Sequence, residues 1–101
     1  MDVRHYLCSE LVTIRGLTGE SVVNLEEIWI DGALFECETP FEEGAPVDFR
    51  GGQALFSGIV KSVEQHEFGW RVEVALSPLT PWHADQFKPE HMLDVSQIKR
   101  D

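Results

Sequence analysis

The hydroxyl and carboxylate side chains of this chain do not fall into a pattern that activates a nucleophile. Ser57 precedes Gly58, but the neighbouring residues do not complete the Gly-x-Ser-x-Gly turn of a hydrolase. No glycine-rich loop has the spacing that cradles a phosphate group. Carboxylates are plentiful, and on a sheet with one solvated face they usually form the polar side. The sequence therefore predicts a protein without catalytic residues.

The residues that could bind a metal ion are four histidines and two cysteines, and no two share ligand spacing on one predicted element. The set is His5, His66, His83, His91, Cys8 and Cys37. Zinc sites usually pair such residues at short, regular intervals, so we expect no metal or other cofactor. Only His83 and His91, which both lie in the C-terminal segment, are candidates to lie close together in the folded chain. The first residues lack a basic and apolar leader, which predicts a cytoplasmic protein with reduced cysteines.

The net charge of −10 arises from 18 acidic and 8 basic residues. Nucleic acids and anionic membranes are bound through clusters of Lys and Arg, and here the basic residues are scattered. No apolar run approaches the ~20 residues that span a bilayer. We therefore expect neither a nucleic-acid polymer nor a membrane as partner. The negative charge serves solubility or an acidic docking surface, for which the candidates are Glu36, Glu38, Glu42 and Glu43.

Short apolar runs separated by turn residues predict six β-strands. Their predicted ranges are Leu11–Arg15, Glu20–Leu25, Ala33–Glu38, Pro46–Arg50, Gln53–Val63 and Trp70–Leu76. In the last strand Trp70, Val72, Val74 and Leu76 alternate with polar or small residues, as expected for a strand with one face on a core. Gly51-Gly52 suits a two-residue hairpin, and Gly58 indicates a bulge or a close backbone approach.

These elements predict one all-β domain, a six-stranded antiparallel barrel over residues 9–77. The predicted core comprises Val12, Ile14, Phe35, Ile59, Val72, Val74 and Leu76. After Ser77-Pro78, Thr80-Pro81 has the features of a helix start, which favours a short C-terminal helix carrying Trp82, His83 and Phe87. Residues 78–101 are therefore expected to form a flap folded onto the barrel. Trp29, in a segment near a turn, either closes the end of the barrel or offers an aromatic binding platform.

The order of these parts resembles the PilZ domain, a small bacterial barrel known as a receptor for cyclic di-GMP. The resemblance covers about residues 4–80 and is best over Val22–Leu76. Its parts are Asn24 to Ile28 leading into Gly32 to Phe35, the turn at Pro40 to Gly44, a strand, Gly58-Ile59-Val60, and Gly69 to Val74. The resemblance implies the barrel fold, a role in signal transduction and a ligand site built from two motifs.

The two ligand motifs are degraded in this sequence. The family's Arg-x-x-x-Arg corresponds to Arg4 through Cys8, which keeps the first arginine and places a cysteine at the second. The family's Asp/Asn-x-Ser-x-x-Gly corresponds to Glu27 through Gly32, where Glu27 and Trp29 replace the short polar residues and Gly32 is retained. Arginine suits both phosphate and guanine through forked hydrogen bonds and stacking. Losing one weakens binding about 10- to 100-fold.

We therefore predict a PilZ-like, non-catalytic module that binds cyclic di-GMP weakly or not at all and acts as an adaptor for a protein partner. The first alternative is a working cyclic di-GMP receptor that uses Arg4, Arg15 and Arg71. The second is an unrelated small barrel that binds a peptide. The ligand-binding candidates that the two motifs supply are Arg4, Cys8, Glu27, Trp29 and Gly32, and the alternative basic contacts are Arg15 and Arg71.

Overall fold

The computed structural model describes residues 3–95, which form an antiparallel β-barrel. Its strands are β1 (Tyr6–Gly16), β2 (Gly19–Trp29), β3 (Gly32–Cys37), β4 (Pro46–Gly51), β5 (Ala54–His66), β6 (Gly69–Leu76) and β7 (Leu93–Asp94). The predicted six-stranded barrel is confirmed. Most strands extend beyond their predicted ends, above all β1 and β2, because glutamates and a bulge between Leu7 and Glu10 obscure the alternation there.

The barrel closes through β1, which is hydrogen-bonded to three other strands. The order around the barrel is β2-β3-β6-β5-β4-β1, and β1 returns to β2 along most of its length. The end of β1 pairs with β4 from Thr13 to Arg15, whereas its beginning pairs with β7 at Tyr6 and Leu7. Every pairing is antiparallel, so each strand presents one face to the core and one to the exterior.

The hairpin between β4 and β5 turns one residue later than the sequence predicts. Gly51 pairs with Ala54, so Gly52 and Gln53 form the two-residue turn. Gly52 has a φ of 59°, which glycine adopts without steric cost. Gly51 belongs to the strand because a Cβ there would lie 2.4 Å from the Phe87 ring, so this position needs glycine for packing.

The core is a single apolar cluster along the barrel axis, with Phe35, Phe49 and Phe56 fully buried at its centre. Six of the seven predicted core residues are buried, but the prediction is wrong for Ile59, which is 53% exposed. Its neighbour Val60 is buried in its place. Gly58 lies on the inward side, where a Cβ would be 2.4 Å from the Ala75 carbonyl oxygen. This close approach puts Ile59 on the outer face.

The segment after β6 packs onto the barrel through two aromatic side chains. Trp82 and Phe87 are buried, and the indole Nε1 of Trp82 donates a hydrogen bond to the Phe87 carbonyl at 2.8 Å. Residues 78–94 contain turns, and the predicted helix is reduced there to one turn in which Gln86 and Phe87 donate to His83. The remainder of the predicted C-terminal region, residues 96–101, lies outside the described residues. Residues 3–95 contain no helix long and apolar enough to cross a membrane.

Candidate functional site

Three of the predicted ligand residues come together with His5 on the outer face where β2 turns into β3. Trp29 ends β2 and pairs in register with Gly32, the first residue of β3. The indole occupies the space above Gly32, since a Cβ there would lie 2.3 Å from the ring. His5 stacks on the same indole with a centroid distance of 4.3 Å and an interplanar angle of 13°. Its Nδ1 is hydrogen-bonded to a carboxylate oxygen of Glu27.

The two residues of the first motif do not join this group. The Nε atom of Arg4 lies 3.5 Å from a carboxylate oxygen of Asp94, and 66% of the arginine side chain is exposed. Cys8 packs against the core, and its thiol donates to the Leu25 carbonyl at 3.6 Å. Burial, together with the charges of Glu10, Glu27 and Glu26, raises the pKa of Cys8 to about 12. This thiol is therefore protonated at neutral pH and is a poor nucleophile.

The arginines of the alternative receptor site are widely separated. Arg71 lies on β6 opposite Glu36 and Glu64, and its guanidinium is 3.8 Å from Glu26. Arg15 lies at the far end of β1 from Arg4, on the order of 30 Å away at ~3.3 Å per strand residue. Arg4, Arg15 and Arg71 therefore do not converge on one ligand-sized site.

The surroundings of Arg71 are strongly acidic. Glu36 is partnered by His66 at 3.5 Å, and Glu26 is the carboxylate nearest to the guanidinium. The Glu36 Oε2 and Arg71 Nε atoms are buried without a hydrogen-bond partner. Of the predicted acidic docking residues, Glu36 belongs to this outer face of the sheet, whereas Glu38, Glu42 and Glu43 follow β3 in the connection to β4. An approaching phosphate would meet this negative field before it reached Arg71.

Sequence reasoning missed His5 as a member of the group around Trp29. The sequence places this histidine only among the possible metal ligands. Its stacking on Trp29 depends on the pairing of β1 with β2, in which Tyr6 lies opposite Ile28. Between residues 3 and 95 no three His, Cys, Asp or Glu side chains are arranged to hold a metal ion. A cleft of about 370 Å³ lies at the opposite end of β1, between the β1–β2 turn and Phe41. None of the predicted ligand residues lines it.

Comparison with known proteins identifies no relative: the chain matches no family model, no curated protein and no solved structure. The function is therefore inferred from the residues themselves and from the geometry around Trp29.

Proposed function

We propose that this protein is a non-catalytic, PilZ-like signalling module of the cytoplasm that recognises a protein partner and has little or no affinity for cyclic di-GMP. The observation that carries the proposal is the position of Trp29. Its indole fills the space above Gly32 and is stacked by His5, so the retained glycine of the motif is covered. In the resembled family the corresponding position holds a small hydroxyl residue next to the ligand.

The charges of the site support the same proposal. Cyclic di-GMP carries two phosphates, which are best held by arginines whose forked donors converge. Here the charged group that is hydrogen-bonded to His5 is the carboxylate of Glu27, and Cys8 contributes no cation. The chain as a whole carries a net charge of −10, which opposes the approach of a dianion.

The alternative of a receptor built from Arg4, Arg15 and Arg71 has less support. Arg4 and Arg71 each have a carboxylate within 4 Å, and Arg15 lies at the other end of β1. Binding through these residues would require breaking two ion pairs and bringing distant strands together. An adaptor function requires no such rearrangement.

The absence of catalysis is supported by the cysteines, the strongest potential nucleophiles of the chain. Burial, followed by the charges of Glu36 and Glu26, raises the pKa of Cys37 to about 12, as burial does for Cys8. A thiol with such a pKa is almost entirely protonated near pH 7, and the thiolate is the reactive form. Neither cysteine therefore has the activated state that covalent catalysis needs.

Calorimetric titration with cyclic di-GMP tests the proposal. We expect affinity at least about tenfold weaker than that of a PilZ domain with both motifs intact, because one charge-assisted contact is worth about that factor. Tight, stoichiometric binding by the unmodified protein would overturn the adaptor function.

A second titration tests whether the motif is correctly placed. The variant Glu27→Asp with Trp29→Ser restores the second motif and uncovers Gly32, so binding should strengthen relative to the unmodified protein. Cys8 is left unchanged, because an arginine there would be directed toward the core. The melting curve of the variant confirms that the barrel is intact. If the folded variant gains no affinity, the motif has been assigned to the wrong residues.

A further inference from the structure

A second surface, away from Trp29, combines exposed aliphatic side chains with an arginine. Residues Val22, Thr13, Arg50 and Leu55 form one lateral row on the outer face of β2, β1, β4 and β5, since each is the register partner of the next. Leu11 lies two residues before Thr13 on the same face of β1. We call these five residues the Arg50 patch. Their three aliphatic members are largely exposed, Leu11 at 71%, Val22 at 62% and Leu55 at 49%.

Such a concentration of aliphatic surface is informative because outward positions of a barrel are normally polar. Cross-strand partners lie about 5 Å apart, and diagonal neighbours such as Leu11 and Val22 about 7–8 Å apart. The patch therefore runs across four strands, with Leu11 and Val22 on one side of Thr13 and Arg50 and with Leu55 on the other side. Exposed apolar side chains next to an arginine suit a protein interaction site.

Arg50 gives the patch its chemical preference. Three other cations, Arg4, Lys61 and Arg71, each lie within 4 Å of a carboxylate, at 3.5, 3.4 and 3.8 Å. Within residues 3–95 Arg50 has no ion pair or side-chain hydrogen bond, and its row across the four strands contains no acidic residue. Its five N–H donors are therefore available to a partner.

Acidic residues border the patch on two sides: Glu10 and Glu90, which line a cleft with Leu11, and Glu20 and Asp48 in the adjacent row. Arg15 lies there between its register partners Glu20 and Asp48. One arginine against two carboxylates leaves this row with a net charge of −1, and Arg50 brings the two rows together to neutrality in a chain with a net charge of −10. Arginine at the centre of an apolar surface is a common anchor of protein interfaces.

We infer that the Arg50 patch docks a partner segment in which a carboxylate stands next to aliphatic side chains. The inference rests on the proposed adaptor function and specifies its surface. The carboxylate accepts the forked hydrogen bonds of Arg50, and the aliphatic side chains cover Val22 and Leu55. The remaining acidic surface repels such a partner elsewhere, which fixes its orientation. A nucleic acid would need several clustered cations, and a second copy of the chain would carry the same net negative charge.

Fluorescence anisotropy with labelled peptides tests the inference. The probe is a short peptide of alternating valine and glutamate, and its partner probe replaces valine with serine to keep the charge and remove the apolar side chains. We expect the valine peptide to bind, and Arg50→Gln to weaken it roughly fivefold or more, since ~1 kcal/mol corresponds to that factor. Val22→Thr with Leu55→Thr should weaken it by a similar factor through lost apolar contact.

Lys88→Gln is the matched control, because Lys88 is an exposed cation outside the patch and the substitution changes net charge equally. Its affinity for the valine peptide should stay unchanged, and melting curves should show every variant folded. The inference would be overturned if Lys88→Gln weakened binding of the valine peptide as much as Arg50→Gln does, or if the valine peptide did not bind. It would also be overturned if the serine peptide or a single-stranded oligonucleotide bound as tightly as the valine peptide. If sedimentation showed that the protein self-associates and that Arg50→Gln abolishes this, the occupant would be a second copy of the chain, and the inference would likewise be overturned. Cyclic di-GMP titration is independent of these outcomes, so failure of this surface and failure of the adaptor function are distinguishable.

Discussion

The packing of β6 makes a quantitative prediction about one buried valine. Val74 is 0% exposed and lies between Ala33 of β3 and Val60 of β5 in the pairing register. Val74→Ala removes two methyl-sized groups, each worth about 0.8 kcal/mol of burial, and leaves a cavity that adds to the loss. We therefore expect the free energy of unfolding to fall by about 1–3 kcal/mol.

The same substitution on the outer face provides the control. Val22 is 62% exposed on β2, so Val22→Ala loses the same atoms and a similar β propensity without opening the core. Its expected effect is within about 0.5 kcal/mol. The difference between the two variants therefore isolates the contribution of burial.

Urea unfolding followed by tryptophan fluorescence measures both variants. Val74→Ala should lower the urea midpoint without changing the m-value, and its melting temperature should fall by about 4–8 °C for each kcal/mol lost. Equal destabilisation by the two substitutions would refute the assignment of the inward face of β6. A changed m-value would instead show that the variant alters the denatured state or the two-state transition, and the same comparison would then be made by calorimetry.

Three further predictions concern close packing, ionisation and the C-terminal segment. Gly58→Ala should cost about 1–3 kcal/mol in urea unfolding, because the new Cβ meets the backbone oxygen of Ala75, which cannot rotate away; an unchanged midpoint would contradict this contact. The pKa of Cys8 and of Cys37 is raised from 9.0 to about 12, so their contribution to stability is fully present below pH 9 and is lost as pH rises from 9 through 12. Under reducing conditions the variant with both cysteines changed to alanine should lose less stability over that range than the unmodified protein, and parallel pH profiles would disprove the burial of the thiols. Trp82→Phe removes the hydrogen bond to the Phe87 carbonyl and should lower the unfolding free energy by about 1 kcal/mol, with denaturation monitored by circular dichroism; no loss would mean that this bond does not hold the segment.

The sequence predicted those strands in which side-chain alternation is regular. β6 has no bulge within it and alternates cleanly from Trp70 to Leu76, so both its range and its buried face could be predicted. In β5 the residues Ile59 and Val60 are adjacent and both aliphatic, so the sequence does not show which phase of the alternation points inward. That phase is decided by the contact of Gly58 with β6, which is a property of the folded barrel.

The candidate site was predictable only in its local part. Glu27, Trp29 and Gly32 are close in the chain, and the β2–β3 turn brings them together. The stacking of His5 and the ion pair of Arg4 with Asp94 join residues far apart in sequence, so they depend on strand pairing. The Arg50 patch likewise requires the order of four strands, since no strand contains more than two of its members.

The pairing of β1 has a consequence for the order in which the barrel assembles. β1 pairs with β2 through a short turn. The other edge of β1 stays unpaired until residues 48–50, and later Leu93 and Asp94, have been synthesised. During ribosomal synthesis at about 5–20 residues per second, that edge remains uncovered for several seconds. An uncovered strand edge can recruit another chain, and non-local pairings are slow to form. The nascent β1–β2 hairpin is therefore the stage at which this protein most needs protection from aggregation.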